Sequence, residues 1–300
     1  MKKLIIILAF QCVGLLAHAQ QDPLYSQYLN NPIVLNPAYA GIHDVFTASA
    51  GYRGQWSGLE GGPSTFFATG HISLIDMVGA GLTVIHDQIG VTTNTQVNAS
   101  GAYKIDLGSG VFSFGLQAGI NSYKEENNDL LIRDTDDALF AGNQQFTKFN
   151  FGAGAILLGD KYFVGLSVPR LANSKTEINN VENQVFTRHY YLGLGYVYEL
   201  NTSLALKGSS LIKALKDAPA SVDLSVQALF FDRFSGGIMT RNFNTYGLLL
   251  GAKLIDNLRF GYTFEIPTNQ SVGSSFNTHE LTLSLDIELL DSHNWRFHYF

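Results

Sequence analysis

Hydrophobicity in this chain alternates residue by residue, in stretches longer than soluble strands usually run. Leu258, Phe260, Tyr262, Phe264 and Ile266 interleave with Arg259, Gly261, Thr263 and Glu265. Leu281, Leu283, Leu285, Ile287 and Leu289 interleave with Thr282, Ser284, Asp286 and Glu288. The same rhythm sets Phe112, Phe114, Leu116, Ala118 and Ile120 against Ser113, Gly115, Gln117 and Gly119. Tyr190, Leu192, Leu194, Tyr196 and Tyr198 likewise alternate with Tyr191, Gly193, Gly195 and Val197. Successive strand side chains point to opposite faces of a sheet. Each segment therefore has one oily face and one small or polar face, which suits an antiparallel sheet between two different solvents.

Fourteen such segments can be read, at 43–56, 63–75, 78–89, 93–107, 110–123, 146–159, 161–169, 184–200, 203–214, 219–231, 233–242, 245–255, 258–267 and 277–289. Soluble strands average about 5–6 residues, whereas a tilted membrane-spanning strand needs about 9–11. The connections sort by parity. The even-numbered ones are tight: Asp76-Met77, Gly108-Ser109, Asp160, Asn201-Thr202, Asp232 and Asp256-Asn257. Every long one is odd-numbered: 57–62, 124–145, 170–183, 215–218 and 268–276. Short periplasmic turns and longer external loops are the signature of outer-membrane barrels; a soluble sandwich has no reason to segregate them. The predicted fold is all-β, a transmembrane up-and-down antiparallel β-barrel of about fourteen strands. Only 15% of residues are charged, against about 25% in soluble domains. Closure removes the strand edges that lipid could not satisfy.

The chain opens on a targeting pattern. Lys2 and Lys3 precede an apolar run, and Ala17-His18-Ala19 supplies the small residues of a cleavage site. Residues 1–19 are thus expected to be a signal peptide. Attachment of lipid through Cys12 is disfavoured by Phe10 and Gln11 before it, where small residues are wanted. Cys12 is the sole cysteine, so the remaining chain has neither disulfides nor cysteine metal ligands. After the leader no stretch approaches the ~18 apolar residues a spanning helix requires.

Residues 20–42 do not alternate. Asn31-Pro32, Asn36-Pro37 and Gly41 indicate turns, and proline cannot donate to a sheet ladder. Two readings fit: an N-terminal plug inside the barrel, using Tyr25, Gln27, Tyr28, Asn36, Pro37 and Tyr39, or a loose periplasmic leader. Glycines on the inward faces (Gly152, Gly154, Gly193, Gly195, Gly247 and Gly251) leave room for an inserted segment. A wide pore would instead be lined by charges. The barrel is expected over 43–290, with a C-terminal tail at 291–300, although Trp295, Phe297 and Tyr299 alternate as a further strand would.

Candidate partner-facing residues lie in the external connections: Trp56, Glu60, Glu125, Glu126, Asp129, Asp134, Asp136 and Asp137. The run Asp134-Thr135-Asp136-Asp137 lacks the glycine and terminal glutamate of a calcium loop and reads as a solvated acidic loop, with no metal expected. Catalytic patterns are missing. Gly165-Leu166-Ser167-Val168-Pro169 fails the nucleophile-elbow pattern at its last position. His279-Glu280 has Leu283 where a zinc protease needs its second histidine. His43-Asp44, His86-Asp87 and His279-Glu280 resemble dyads, but neighbours on a strand face opposite sides. A formal charge of -6 argues against nucleic-acid binding.

In addition, blocks spread over nearly the whole chain carry a family resemblance. They are Gln27-Tyr28 through Asn36-Pro37-Ala38-Tyr39-Ala40-Gly41, Tyr52-Arg53-Gly54-Gln55-Trp56 with Gly62-Pro63-Ser64-Thr65, and Gly79-Ala80-Gly81 with Asp87-Gln88-Ile89-Gly90. Tyr162 to Pro169, Arg188-His189-Tyr190-Tyr191, and Phe260 to Pro267 before His279-Glu280 continue the order. In these the chain resembles the PorP/SprF group of outer-membrane proteins associated with the type IX secretion and gliding machinery of the Bacteroidetes. The resemblance implies a barrel beside the type IX translocon that assists secretion or surface attachment of a particular secreted surface protein, such as an adhesin, through that partner's C-terminal region. It implies no enzyme, no cofactor and no transferable list of binding residues. The alternative function is an outer-membrane transporter of a hydrophobic small molecule; an outward-facing hydrolase would need a His-acid or Ser-His cluster assembled across strands.

Overall fold

A computed structural model of the chain describes residues 26, 28, 30–129, 142–172, 174–178, 181–216, 218–268 and 276–289. Its strands are β1 (Phe46–Gly54), β2 (Ser64–Ile75), β3 (Val78–Ile89), β4 (Thr92–Asp106), β5 (Val111–Glu125), β6 (Gln144–Leu158) and β7 (Tyr162–Val168). There follow β8 (Ser174–Ile178), β9 (Val181–Phe186), β10 (His189–Asn201), β11 (Leu204–Leu215), β12 (Ser221–Phe230), β13 (Phe234–Arg241), β14 (Thr245–Ile255), β15 (Leu258–Pro267) and β16 (Thr278–Ile287). Fourteen of them close an antiparallel barrel, in which β1 pairs with both β2 and β16 and β7 pairs with β10. The remaining two, β8 and β9, form a separate hairpin.

The alternation read from the sequence becomes an inside and an outside. On β16, Thr278, Glu280, Thr282, Ser284 and Asp286 are buried within the barrel, while Leu281 and Leu283 are exposed on its wall. On β1, Thr47, Ser49 and Arg53 point inward and Tyr52 outward. In water such an exterior, with Phe149, Phe151, Leu166 and Tyr196 all exposed, would be a severe aggregation hazard; in lipid it is the favourable face. Closure pairs each edge strand, as a membrane requires. No described helix is long and apolar enough to cross a membrane.

Strand ends follow local chemistry. β7 stops before Pro169, which has no N–H for the ladder. The tight turns flanking β13 hold Phe231 and Asp232, then Asn242 and Phe243, at positive φ. This is the mirror-image turn whose twist matches a hairpin. Phe231 and Phe243 are exposed at opposite ends of β13, where amphipathic rims of a membrane barrel carry aromatics.

Several sequence expectations are corrected in detail. The connection expected as a loop at 170–183 contains the β8–β9 hairpin, because two short arms outside the barrel wall satisfy their backbone by pairing with each other. Consequently the strand expected from 184 begins at His189, and 184–186 belong to β9. Glu125 lies at the end of β5, not in the loop, since β4 and β5 stay paired up to Thr92 and Glu125. The first strand starts at Phe46, three residues later than expected, because the buried residues up to Val45 still belong to the luminal segment, Ile42 packing with Ile156 and Leu158. Residues 1–25 and 290–300, with the expected signal peptide and C-terminal tail, lie outside the described residues.

Candidate functional site

The feature that sets this barrel apart is the chain inside it. From Ser26 to Val45 the described residues are almost all buried, and they form no strand. Two short 3-10 turns, Pro32–Val34 and Pro37–Tyr39, each begin with proline after an asparagine. Proline suits the first helical position because its missing N–H would have had no partner there. Asn36 then caps the second turn, its Oδ1 accepting from the Ala38 amide at 3.0 Å. The segment is thus compact and self-satisfied, with side chains free to engage the wall.

At the end of the barrel that carries the long connections, the segment meets a charged cluster. The Arg53 guanidinium donates from Nη1 and Nη2 to both oxygens of Glu265 at 2.9 Å and from Nη1 to Glu280 at 2.9 Å. Arg241 forks onto Asp223, with Nε and Nη2 each 2.9 Å from a carboxylate oxygen. Its Nη1 lies 3.6 Å from Glu265. Ser26 sits among them: its amide donates to Glu280 at 2.9 Å, its hydroxyl donates to Glu265, and Arg241 Nη2 donates to the hydroxyl at 3.1 Å. All five ionic side chains are at most 8% exposed. Forked guanidinium–carboxylate pairs are among the strongest hydrogen bonds in proteins. The two cations leave one carboxylate in excess, and the Ser26 donors help to satisfy it.

Midway, Asn31 Oδ1 accepts from Thr69 at 3.0 Å, and Tyr28, Val34 and Leu35 pack with Phe67, Ile85, Tyr191 and Leu211. Asn36 Nδ2 donates to the Ala155 and Leu166 carbonyls on paired strands β6 and β7. A Cβ on Gly154 would overlap the Asn36 side chain; the glycine is what admits the asparagine. Pro37 and Ala38 press on β5 in the same way, where a Cβ at Gly115 would lie 2.5 Å from their backbone. Ser113 donates to the Ala38 carbonyl at 2.7 Å.

At the short-turn end the contact is mainly apolar. Ile33, Ala38, Tyr39, Ala40 and Ile42 pack on Ala102, Val111, Ile156, Leu158 and Phe163. Gly41, at φ +62°, lies so close to the Ile72 carbonyl and to Gly79 that neither glycine admits a side chain. Lys104 finishes this floor, donating to the Gly41 carbonyl at 2.8 Å, to Ser73 at 2.9 Å and to Asp44 at 3.1 Å. Between the segment and strands β7, β10 and β11 a cavity of ≈ 40 Å³ persists, lined mainly by Tyr28, Leu35, Tyr39, Phe163, Tyr191 and Leu211.

Of the residues singled out from the sequence, Tyr28, Asn36, Pro37 and Tyr39 lie in this lumen; Tyr25 and Gln27 lie outside the described residues. On the long-connection face, Trp56 takes φ +57° and its amide donates to Thr278 at 3.4 Å. Glu60 is exposed. Glu125 accepts from the Tyr123 hydroxyl at 3.2 Å, and Glu126 pairs with Lys124 at 2.6 Å. Exposed pairs such as the latter contribute little. Asp129 ends a short 3-10 turn (Asn127–Asp129), whereas Asp134, Asp136 and Asp137 fall outside the described residues. Gly193 faces Phe163, and Gly247 and Gly251 face Met239 and Ser235; none of these three seats the segment.

Sequence reasoning missed the charged cluster. Its signal was present: Arg53, Asp223, Arg241, Glu265 and Glu280 all fall on the polar phase of alternating strands, and ionisable residues at membrane depth are functional sites by default. The missing information was that five residues from five strands converge. Two of the three adjacent histidine–acid pairs divide as strand geometry requires, whereas His43-Asp44 precedes β1 and lies on no strand, with Asp44 paired to Lys104. Asp87 and Glu280 are buried inside; His86 bonds Thr95, and His279 bonds the Tyr262 hydroxyl, on the other face. Among the described residues no three His, Cys, Asp or Glu side chains gather as a metal site.

A family model described as type IX secretion system membrane protein PorP/SprF matches residues 17–285. No curated protein matches the chain significantly by sequence. Among solved structures, the fold is similar to that of a Pseudomonas aeruginosa FadL homologue, at 11% identity and TM-score 0.50, covering 85% of this chain and 93% of that one. It is also similar to the Acinetobacter baumannii outer membrane protein Omp33, at 9% identity and TM-score 0.49, covering 82% and 100%. A third is a deletion mutant of the monoaromatic hydrocarbon channel TodX, at 10% identity and TM-score 0.48, covering 87% and 94%. At these identities the likeness is one of fold. An oily-walled fourteen-strand barrel of this kind resides in the outer membrane.

Proposed function

Because the chain belongs to the PorP/SprF family of type IX secretion system membrane proteins, we propose that it is a non-enzymatic accessory barrel that assists export or surface attachment of one secreted, adhesin-like protein. The partner's C-terminal region docks on the external face built by the long connections and the strand ends beside them, including Trp56, Glu60, Glu125 and Glu126, beside components of the translocon. The observation that carries this reading is the occupied lumen. A segment bonded to the wall at both ends and in the middle leaves the barrel poorly suited to free diffusion. Its adaptable surface is then the rim, where polar loops on a rigid scaffold are well placed for recognition. Affinity purification from outer membranes tests it. A large secreted protein should co-purify, and replacing 57–62 by a short glycine-serine loop should reduce both its recovery and its surface display. Unaltered surface display after deletion of the whole barrel overturns the reading.

A second reading has its own support: the aromatic cavity beside Tyr28, Tyr39 and Tyr191. In that reading the barrel admits a hydrophobic small molecule, and apolar pockets with a few placed hydroxyls are the usual form of such sites. It requires an apolar ligand in the purified protein and loss of uptake on deletion, with secretion unchanged.

A further inference from the structure

The wall of the barrel is not equally high all round. β6 runs for 15 residues, but β7 beside it runs for 7, and their pairing ends at Ala153 and Val168. Past that point the Leu171 amide still donates to the Phe151 carbonyl at 2.8 Å, and there the ladder stops. On its other side β6 stays paired with β5 as far as Gln144 and Glu125, at the long-connection end. Among the described strands, the outer part of β6 therefore has one neighbour only. β8 and β9, which follow β7, pair with each other and with no strand of the barrel. In an antiparallel ladder, alternate residues turn their backbone groups to opposite sides. Phe151 points its carbonyl away from β5, so Phe149, Thr147 and Gln145 do the same. Each offers an amide and a carbonyl to the vacant side.

This edge rises out of the lipid. On the outer face the paired Ile120 and Phe149 are apolar and exposed, whereas the next outward pairs, Ser122 with Thr147 and Lys124 with Gln145, are polar. The oily belt thus ends at Phe149, and the open edge, which hydrocarbon would not tolerate, stands in water on the long-connection side. Backbone groups at strand spacing are complementary to an extended chain, the mode of recognition by strand addition. A second barrel cannot supply that chain. Strands tilt about 35–45°, so two copies related by an axis along the membrane normal would cross at about 70–90°, too steeply to form a ladder. Charge narrows the occupant further. Lys148, on the inward phase with buried Asn150, lies 5.9 Å from the centre of the Phe146 ring and has no ion-pair partner among the described residues. An opposite charge directly across from it on an added strand is favourable.

We propose that the open edge of β6 over 145–149 is a strand-addition site, which takes an extended segment of the secreted partner with an acidic side chain opposite Lys148. That the occupant is an exported protein rests on the function proposed above; the open edge does not.

Hydrogen exchange on the purified barrel in detergent tests the edge. The Thr147 and Phe149 amides should exchange more than about tenfold faster than those of Phe146 and Lys148, which face β5. Equal protection would mean that the chain covers its own edge, and overturns the proposal. The occupant is read by photo-cross-linking in intact cells, with p-benzoylphenylalanine in place of Phe149 and the adduct mapped by mass spectrometry. The expected adduct is with a segment of a secreted protein that contains Asp or Glu. Thr147→Pro removes the amide on the vacant side and leaves the bonds of Phe146 and Lys148 to β5 intact, so it should abolish the adduct, while Thr147→Ala preserves it. Lys148→Glu, which leaves every backbone group in place, should cut the yield severalfold and decides the matter should Thr147→Pro fail to assemble. An adduct with a second copy or with the barrel's own chain, no adduct, or a yield unchanged in Lys148→Glu overturns the proposal. An adduct sensitive to both variants, with surface display unaltered on deletion of the barrel, would leave strand addition standing and remove the export reading alone.

Discussion

At the long-connection end of the lumen the segment is held by charge, through Ser26 and the Arg53–Glu265–Glu280 pairs. At the short-turn end it is held mainly by shape, through Gly41 against Gly79 and an apolar floor of Ile156, Leu158 and Phe163, with Lys104 bonding the Gly41 carbonyl and Asp44. The difference teaches where each kind of contact is useful. Close packing around small residues tolerates no intruder and suits an end that need only be sealed. Directional charge pairs bind strongly when complete and fail when one member is lost, which suits an end where the chain has to be held in a defined position.

The comparison is broken most severely at the floor. Gly79→Val places branched carbons where the Ala40 carbonyl already lies, and backbone cannot rotate away as a side chain can. Loss of seating and failure of barrel assembly are expected, read as absence of the compact, unheated-gel form in outer membranes. At the mouth, Arg53→Met removes the forked partner of Glu265 and an ion-pair partner of Glu280, leaving the Ser26 donors and the more distant Arg241. Removing one partner of a buried pair costs about 3–5 kcal/mol, so the temperature at which gel mobility converts should fall well below that of the unsubstituted protein. The double variant Arg53→Met with Glu280→Gln should recover part of that loss; purely additive costs would show that the pair is not coupled.

Between the two ends, Asn36→Ala removes donors to the Ala155 and Leu166 carbonyls and the cap on Ala38. A loss of about 1–3 kcal/mol is expected from stranded buried groups, measured by urea unfolding in detergent. Gly154 should become replaceable by alanine in that background, since the side chain it would overlap has gone. The smallest effect belongs to Ser26→Ala, about 1 kcal/mol for one hydroxyl, because the amide bond to Glu280 survives. An effect as large as that of Arg53→Met would mean that the hydroxyl, rather than the pairing of charges, organises the mouth.

Much of this molecule is legible in its sequence. A period of two over ten or more residues, as at 258–267 and 277–289, admits few structures besides a strand with two solvents, and the parity of the connections orients the barrel. β2, β3, β14 and β15 begin and end within a residue of the expectation, because their turns carry Asp, Asn and Gly where the chain must reverse. The β8–β9 hairpin was not legible: the sequence over 174–186 shows no alternation of polar and apolar residues to mark it. Asn36 and its proline turn were visible as a break in the alternation, but not their partners, because Ala155 and Leu166 contribute only backbone carbonyls, which every residue has.

What the sequence by itself determined is the wall: which residues face lipid and which face inward follows from local chemistry, since each strand's alternation is written in adjacent positions. Only the tertiary structure decided what the inside does. Arg53, Asp223, Arg241, Glu265 and Glu280 are separated by up to 227 residues, and their meeting with Ser26, like the descent of the segment to Gly41, depends on closing the cylinder. Closure brings the inward faces of distant strands within hydrogen-bond reach, and no local pattern encodes that distance.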